Sequence, residues 1–157
     1  GRHGGGPPAA RPRPPHGERL LDDARAKGGK ILCGGFSDGL FVRPAVITGA
    51  TREMAVAEEE IFGPVAPLFR FGNEEEAVRL ANDTEYGLAS YLYSRDIGRI
   101  TRVSEALEYG MVAVNTGMLS NAAAPFGGVK QSGMGREGSR YGMDEYLEMK
   151  YIVTAGI

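Results

Sequence analysis

Apolar positions recur along most of this 157-residue chain with spacings that change between the helical and the strand period. Apolar residues three and four positions apart predict helices, and short β-branched or apolar runs predict strands. The predicted helices are Glu18–Lys27, a helix capped by Asn73, and Ile97–Glu108. The predicted strands are Lys30–Cys33, Phe41–Ile47, Val65–Phe71, Ala89–Tyr93 and Met111–Asn115. Strands that alternate with helices predict an α/β fold.

Local signals fix several element ends. Asn73 with Glu76 three residues later has the pattern of a capping box, and Asp96 has the position of an N-cap. Gly110 is predicted to end the third helix in the C′ role. Pro44 makes residues 41–47 an edge or irregular strand. The helix faces expected to be buried are Leu20, Leu21 and Ala24, then Ala77, Val78, Leu80 and Ala81, then Ile100, Val103, Ala106 and Leu107.

The two ends of the chain differ from its body. Residues 1–16 contain only Gly, Arg, His, Pro and Ala, so we expect a disordered or non-native tail, with a basic partner-binding tail as the alternative. Residues 17–146 are expected to form the folded part, with a short helix over 138–146. The alternation over residues 147–153 predicts a terminal strand, and we assign residues 147–157 to it.

Composition excludes several classes of function. The net charge of −2 gives no basic surface for nucleic acid, and no apolar run is long enough to span a bilayer. The N-terminus lacks a signal-peptide core, so we expect a cytoplasmic protein. Both histidines lie in the tail, which argues against a histidine-dependent hydrolase or a His-based metal site. The lone cysteine, Cys33, is interpreted as a buried structural thiol because no Lys, Arg or His follows it to lower its pKa.

Two motifs carry candidate chemistry. Glu60 ends an acidic run that could simply be solvated, but Phe62 and a Gly-Pro turn follow it. A carboxylate can accept hydrogen bonds from a sugar diol, and an aromatic ring can cover a planar ring, so this turn is a candidate ligand edge. Residues 133–138 match G-x-G-x-x-G, but no strand directly precedes them, and we reject a dinucleotide site there.

The motif Glu-Ile-Phe-Gly-Pro at residues 60–64, the segment 82–88 and the glycine-rich run 125–137 together resemble the aldehyde dehydrogenase superfamily. The resemblance begins near Glu18. It implies that residues 17–146 are the C-terminal part of the catalytic domain and that 147–157 are its oligomerisation strand. It also implies that Glu60 binds the nicotinamide ribose of NAD or NADP and that Phe62 packs beside the nicotinamide.

Within that superfamily the chain is most similar to the succinate-semialdehyde dehydrogenases, through residues 115–120 and 138–151. The resemblance implies that Ser120 helps to hold the distal carboxylate of the aldehyde substrate, and a hydroxyl is a suitable donor for that group. It further implies a homo-oligomer joined through the terminal strand.

The family nucleophile, a cysteine that attacks the aldehyde, has no match in this chain. We therefore expect no catalytic residue here and no turnover by the chain alone. Two alternatives stay open: an aldehyde dehydrogenase with another substrate, and a non-catalytic assembly or binding module.

Overall fold

Helices and strands alternate through the residues that the computed structural model describes, which are 16–35, 37–38 and 41–156. The helices are α1 His16–Ala26, α2 Glu74–Asn82 and α3 Ile97–Ala106. The strands are β1 Lys30–Cys33, β2 Ser37–Asp38, β3 Phe41–Val42, β4 Ala45–Thr48, β5 Val65–Leu68, β6 Tyr86–Gly87, β7 Ala89–Leu92, β8 Met111–Val114 and β9 Val129–Lys130. Two 3₁₀ turns lie at Ala55–Ala57 and Tyr141–Tyr146. The mixed order confirms the predicted α/β class.

The chain divides into an N-terminal unit that ends at Arg70 and a C-terminal unit that begins at Phe71. In the N-terminal unit β4 lies between β1, to which it is antiparallel, and β5, to which it is parallel. The core of this unit consists of Leu20, Leu21, Ala24, Ala45, Ile47, Ala50, Met54, Val56 and Val65. Full burial of a side chain such as Leu20 or Ile47 contributes about 1.5–3 kcal/mol, so α1 is held firmly against the sheet.

The first helix begins two residues before the predicted start. The predicted face of Leu20, Leu21 and Ala24 is buried as expected, and Gly28 follows the helix with a φ of +92°. His16, assigned to the tail from the sequence, is the first residue of α1. Residues 1–15, where the rest of the predicted tail lies, are outside the described residues.

The strand predicted over residues 41–47 was wrong in one respect. The structure has two strands, β3 and β4, and β4 is central in its sheet rather than at an edge. The reason is that Pro44 lies just before β4, so its missing N–H removes nothing from the ladder. By contrast β5, which contains Pro67, is the edge strand that a proline allows.

In the C-terminal unit both predicted N-caps are present. The Oδ1 of Asn73 accepts a hydrogen bond from the Glu76 amide at 2.8 Å, and the Oδ1 of Asp96 accepts one from the Arg99 amide at 3.0 Å. The Glu76 carboxylate closes the α2 cap on the amide of Gly72 rather than on that of Asn73. The strands of this unit form two pairs, β6–β9 antiparallel and β7–β8 parallel.

The helix faces of this unit are less covered than predicted. Val103 is the one buried residue of α3, Ala106 is exposed, and the apolar residues of α2 are half-buried. Val103 and Ala113 are the buried hydrophobic residues of this unit within the described chain.

The predicted end of the third helix was also wrong. α3 ends at Ala106 and the next residue, Leu107, is extended, so Gly110 does not form a C′ cap. Instead the Gly110 amide donates to the Gly87 carbonyl at 2.9 Å, and a Cβ at Gly110 would lie 2.1 Å from the Gly127 carbonyl oxygen. Residues 147–156 form no strand within the described chain, and their role as an oligomerisation strand that pairs with another copy stays a prediction.

Candidate functional site

The turn that carries the predicted cofactor residues joins the 3₁₀ turn at 55–57 to β5. Its backbone is held at the β5 end, where Ala45 N donates to Pro64 O at 2.8 Å and Val65 N donates to Gly63 O at 2.9 Å. Phe62 has a φ of +43°, a left-handed conformation that costs a side-chain-bearing residue about 1–3 kcal/mol. Its side chain is 92% exposed. The turn thus holds an aromatic ring in solvent at a cost in backbone strain.

Glu60 lies two residues before that ring. Its side chain is exposed, and no described residue donates a hydrogen bond to its carboxylate. Its main-chain oxygen, in contrast, accepts a hydrogen bond from His16 Nε2 at 2.8 Å. The backbone of Glu60 is therefore anchored while both carboxylate oxygens stay available as acceptors, the arrangement that a sugar diol requires.

Ser120 lies in the C-terminal unit, in the loop that follows β8. The loop begins at Asn115, which has a φ of +55°. The Asn115 amide side chain accepts from Ser94 N at 2.9 Å and donates to Ser94 O at 2.8 Å, which extends the β7–β8 pairing by one step. Ser120 itself is exposed, with no hydrogen bond from the described residues to its hydroxyl. The loop is thus fixed at its start, with the Ser120 hydroxyl available for another group.

The glycine-rich run folds back on itself. Phe126 and Glu137 exchange two backbone hydrogen bonds, of 2.9 and 2.7 Å, across its base. Within the loop, Arg136 Nη1 donates to the carbonyl oxygens of Gly128, Met134 and Gly135 at 2.7–2.9 Å. Two residues separate the short strand β9 from Gly133, but no α-helix starts within residues 133–138, so the strand–turn–helix that a dinucleotide fingerprint requires is incomplete.

Lys130, in the same run, has a φ of +55° and all three ammonium hydrogens engaged. Its Nζ donates to the carbonyl oxygens of Asn82 and Thr84 at 3.0 and 3.2 Å and pairs with Glu108 Oε2 at 2.6 Å. Lys130 thus joins the glycine-rich run to the carbonyl oxygens at the end of α2 and to the Glu108 carboxylate.

An open cleft of about 810 Å³ lies between this run and the 3₁₀ turn at 141–146. Phe126 and Tyr146 line it and are 36% and 85% exposed. Neither ring belongs to the buried core of this unit.

Cys33 differs from its prediction as well. It is exposed, not buried, at the end of the edge strand β1. The pairing of β1 with β4 shifts between Ile31 and Cys33, because Ile31 lies opposite Ile47 while Cys33 lies opposite Val46. This irregularity turns the thiol away from the core face that Ile31 shares.

Charged side chains of the C-terminal unit are paired across its two helices. The Glu74 carboxylate accepts from Arg99 Nε at 2.9 Å and from Arg102 Nε at 3.1 Å. The hydrogen bond from Arg102, followed by that from Arg99, holds the pKa of Glu74 below its ordinary value. These pairs join α2 to α3 and contact none of the predicted ligand residues.

Two classes of site can be assessed directly. In the ranges 16–35, 37–38 and 41–156, no group of three His, Cys, Asp or Glu side chains is placed to hold a metal ion. Over the same residues, no helix has the length and apolar character needed to cross a membrane. Glu60 and Phe62 share one turn of the N-terminal unit, and Ser120 lies in the C-terminal unit.

Comparison with known proteins gives consistent results. The chain is 59% identical over 143 residues to 3-sulfolactaldehyde dehydrogenase of Pseudomonas putida, covering 89% of this chain and 29% of that protein. It is 56% identical over 133 residues to glutarate-semialdehyde dehydrogenase of Pseudomonas putida KT2440, covering 84% and 28%. The crystal structure of succinate-semialdehyde dehydrogenase from Burkholderia pseudomallei superposes with a TM-score of 0.85 at 62% identity, covering 87% and 29%.

The chain therefore spans less than a third of the length of these relatives. The Aldehyde dehydrogenase family matches residues 6–152, so the match starts twelve residues before Glu18, where the resemblance was expected to begin. Proteins of this family are oxidoreductases that use NAD or NADP. A match over nearly the whole length, together with relatives of this identity, shows that the chain belongs to the aldehyde dehydrogenase family.

Proposed function

We propose that this chain is the C-terminal part of the catalytic domain of an NAD(P)-dependent aldehyde dehydrogenase that oxidises a short aldehyde with an acidic group at its far end. Succinate semialdehyde is our first choice of substrate. The observation that carries the proposal is the turn at residues 60–62. There the Glu60 carboxylate accepts no hydrogen bond from a described residue, and two positions later Phe62 combines a strained backbone with an exposed ring.

The residues of this turn fit a nicotinamide nucleotide. Glu60 presents two acceptor oxygens to the ribose hydroxyls, and Phe62 presents an apolar face to a planar ring. When bound, NAD(P) takes up the hydride that leaves the aldehyde carbon. Glu60 and Phe62 bind and orient in this scheme, and neither moves a proton.

The substrate class follows from three relatives, which are named for 3-sulfolactaldehyde, glutarate semialdehyde and succinate semialdehyde. All three aldehydes carry an acidic group away from the reacting carbon. An exposed hydroxyl at Ser120 is suited to donate to such an anion. We therefore assign Ser120 to the far end of the substrate.

The cofactor assignment can be tested in a chimaeric enzyme in which residues 16–156 replace the matching third of the Burkholderia pseudomallei protein. Glu60→Gln should weaken NAD(P) binding by about 10- to 100-fold, because a charged acceptor is lost. Glu58→Gln, in the same acidic run, is the matched control and should leave binding unchanged. Equal affinities in the two variants, measured by fluorescence titration, would contradict the role of Glu60.

The substrate assignment has its own internal control in the same enzyme. Ser120→Ala should lower kcat/KM for succinate semialdehyde by about 5- to 20-fold relative to kcat/KM for butanal, which has no carboxylate. If the ratio of the two values does not change, an aldehyde dehydrogenase with another substrate becomes the better assignment.

We propose in addition that the chain alone gives no turnover, since its sequence contains one cysteine and that residue lies in an exposed edge strand. The assay is NAD(P) reduction at 340 nm by the purified chain with succinate semialdehyde, with the chimaera as the positive control. Aldehyde-dependent reduction by the chain alone would refute this proposal.

Assembly is a second candidate function, and the exposed end of the chain favours it. Large apolar side chains there are 64–102% exposed, at Tyr146, Leu147, Met149, Tyr151, Ile152 and Val153. A strand paired with a second copy would cover them and satisfy the backbone. Co-purification with a full-length subunit, lost when Ile152 is replaced by Lys, would support this role.

A further inference from the structure

One face of α1 contacts residues 53–60, the segment that leads into the Glu60–Phe62 turn. The residues of this face follow the helical spacing of three or four positions, at His16, Arg19, Asp23 and Lys27, the last just beyond the helix end. We call these four residues the α1 clamp. The adjacent face of the helix carries the buried residues Leu20, Leu21 and Ala24, which fix α1 on the sheet.

The first half of the α1 clamp contacts the end of the acidic run. His16 Nε2 donates to the main-chain oxygen of Glu60 at 2.8 Å. Arg19 binds Glu59 with both terminal nitrogens, one of them at 3.1 Å from Oε1. The hydrogen bond from Arg19 lowers the pKa of Glu59, as expected for a carboxylate that accepts from a guanidinium.

The second half contacts the start of the same segment. Asp23 Oδ2 accepts from Ala55 N at 2.7 Å, at the first residue of the 3₁₀ turn. Lys27 Nζ links Asp23 to the start of the segment, because it pairs with Asp23 Oδ1 at 2.7 Å and donates to Glu53 O at 2.6 Å. The segment from residue 53 to residue 60 is thus attached to one helix at both its ends.

We infer that the α1 clamp is a positioning element that holds the Glu60–Phe62 turn in its cofactor-binding conformation, an inference that rests on the proposed function of that turn. A residue with a positive φ and an exposed ring has little packing of its own to maintain it. Such strain persists only where the surrounding structure over-determines it. The α1 clamp supplies that restraint from a helix that is itself anchored in the core.

The restraint can be measured on the chain without any cofactor. Arg19→Met should speed hydrogen exchange of the amides of Glu58 and Glu59 by about two- to fivefold, the range expected when an exposed ion pair is lost. Arg25→Met is the matched control, because the ion pair of Arg25 is with Asp22 on the same helix, at 2.8 Å, and among the described residues it makes no hydrogen bond or ion pair with the 53–60 segment. Unchanged exchange in Arg19→Met, or equal acceleration in the control, would overturn the inference.

A charge exchange separates the ion pair from general effects on the helix. The double variant Arg19→Glu with Glu59→Arg should restore slow exchange, whereas each single variant should not. Failure of the double variant to restore it, while both single variants accelerate exchange, would show that the pair is not the restraint.

Cofactor affinity in the chimaeric enzyme tests whether the α1 clamp affects NAD(P) binding. Arg19→Met should raise the Kd for NAD(P) by about two- to fivefold, while KM for the aldehyde stays unchanged. If Glu60→Gln weakens binding but Arg19→Met does not, the proposed function stands and the positioning role falls. If Glu60→Gln has no effect, the proposed function falls and the positioning role for the cofactor falls with it, whatever hydrogen exchange shows.

Discussion

Backbone strain at Phe62 can be tested by comparing alanine and glycine at that position. Phe62 has a φ of +43° and a side chain that is 92% exposed, so truncation removes little buried surface. Alanine keeps the Cβ that disfavours a left-handed backbone, whereas glycine removes it. The difference between the two variants therefore isolates the cost of the conformation from the loss of the ring.

The expected magnitude follows from two opposing terms. A Cβ in the left-handed region costs about 1–2 kcal/mol, and the extra freedom of glycine in the unfolded chain offsets roughly 0.5–1 kcal/mol of that. We expect Phe62→Gly to be more stable than Phe62→Ala by about 0.5–1 kcal/mol. At Arg25, an exposed position in α1, the order should reverse, with alanine more stable than glycine by about 1 kcal/mol.

The assay needs a probe of the N-terminal unit. All seven tyrosines follow residue 71 and so report on the other unit. Met54, however, is the only methionine before residue 71 and is 1% exposed in the N-terminal core. Its ¹³C-methyl NMR signal followed through a urea titration gives the unfolding free energy by linear extrapolation. If Phe62→Ala is as stable as Phe62→Gly while the Arg25 pair behaves as expected, the turn carries no strain.

Three further predictions concern the C-terminal unit. Gly127→Ala should lower the unfolding free energy of this unit by about 1–3 kcal/mol, because the new Cβ would lie 2.2 Å from a backbone carbonyl oxygen. Gly117→Ala, whose new Cβ would have its nearest neighbour at 3.9 Å, should change that free energy by less than about 0.5 kcal/mol. Tyrosine fluorescence in urea measures both values. Asn115→Gly tolerates the positive φ but loses two side-chain hydrogen bonds, so it should lower the unfolding free energy by about 1–2 kcal/mol. Asn115→Ala loses the same bonds and also strains the backbone, so it should lower that free energy further. Equal unfolding free energies for the two variants would refute this reasoning. Because the pKa of Glu74 is lowered in the folded state, its ion pairs stabilise the unit fully above the ordinary carboxyl value of 4.5 and are lost as the pH falls through the folded pKa. Arg102→Met should raise the pKa of Glu74 toward 4.5, as followed by ¹³C NMR of its carboxyl carbon.

The elements that local sequence determines were predictable. Asn73 and Asp96 cap their helices with their own side chains, so a few neighbouring residues suffice to identify them. The buried face of α1 follows from spacing alone, because that helix packs on a sheet within its own unit. Residue chemistry made the Glu60–Phe62 turn a candidate ligand edge, whereas Ser120 and the specific role of each residue came from the family resemblance, and these roles stay predictions.

Features that depend on distant partners were not predictable. The position of β4 at the centre of its sheet depends on pairing with β1 and β5, and Pro44 alone suggested an edge. Gly110 ends no helix because its real constraint is the backbone of Gly127, seventeen positions later. The left-handed conformation of Phe62 has no signal in residue type, since an aromatic residue rarely adopts it.

The exposed thiol of Cys33 has a practical consequence for any study of self-association. Two copies of the chain can be joined by an intermolecular disulfide during aerobic purification, since each copy carries one accessible sulfur. Such a covalent dimer would elute like an assembly formed through the exposed end of the chain, although it would have a different interface. Sedimentation in the presence of a reductant, with Cys33→Ser as a check, separates oxidation from true oligomerisation.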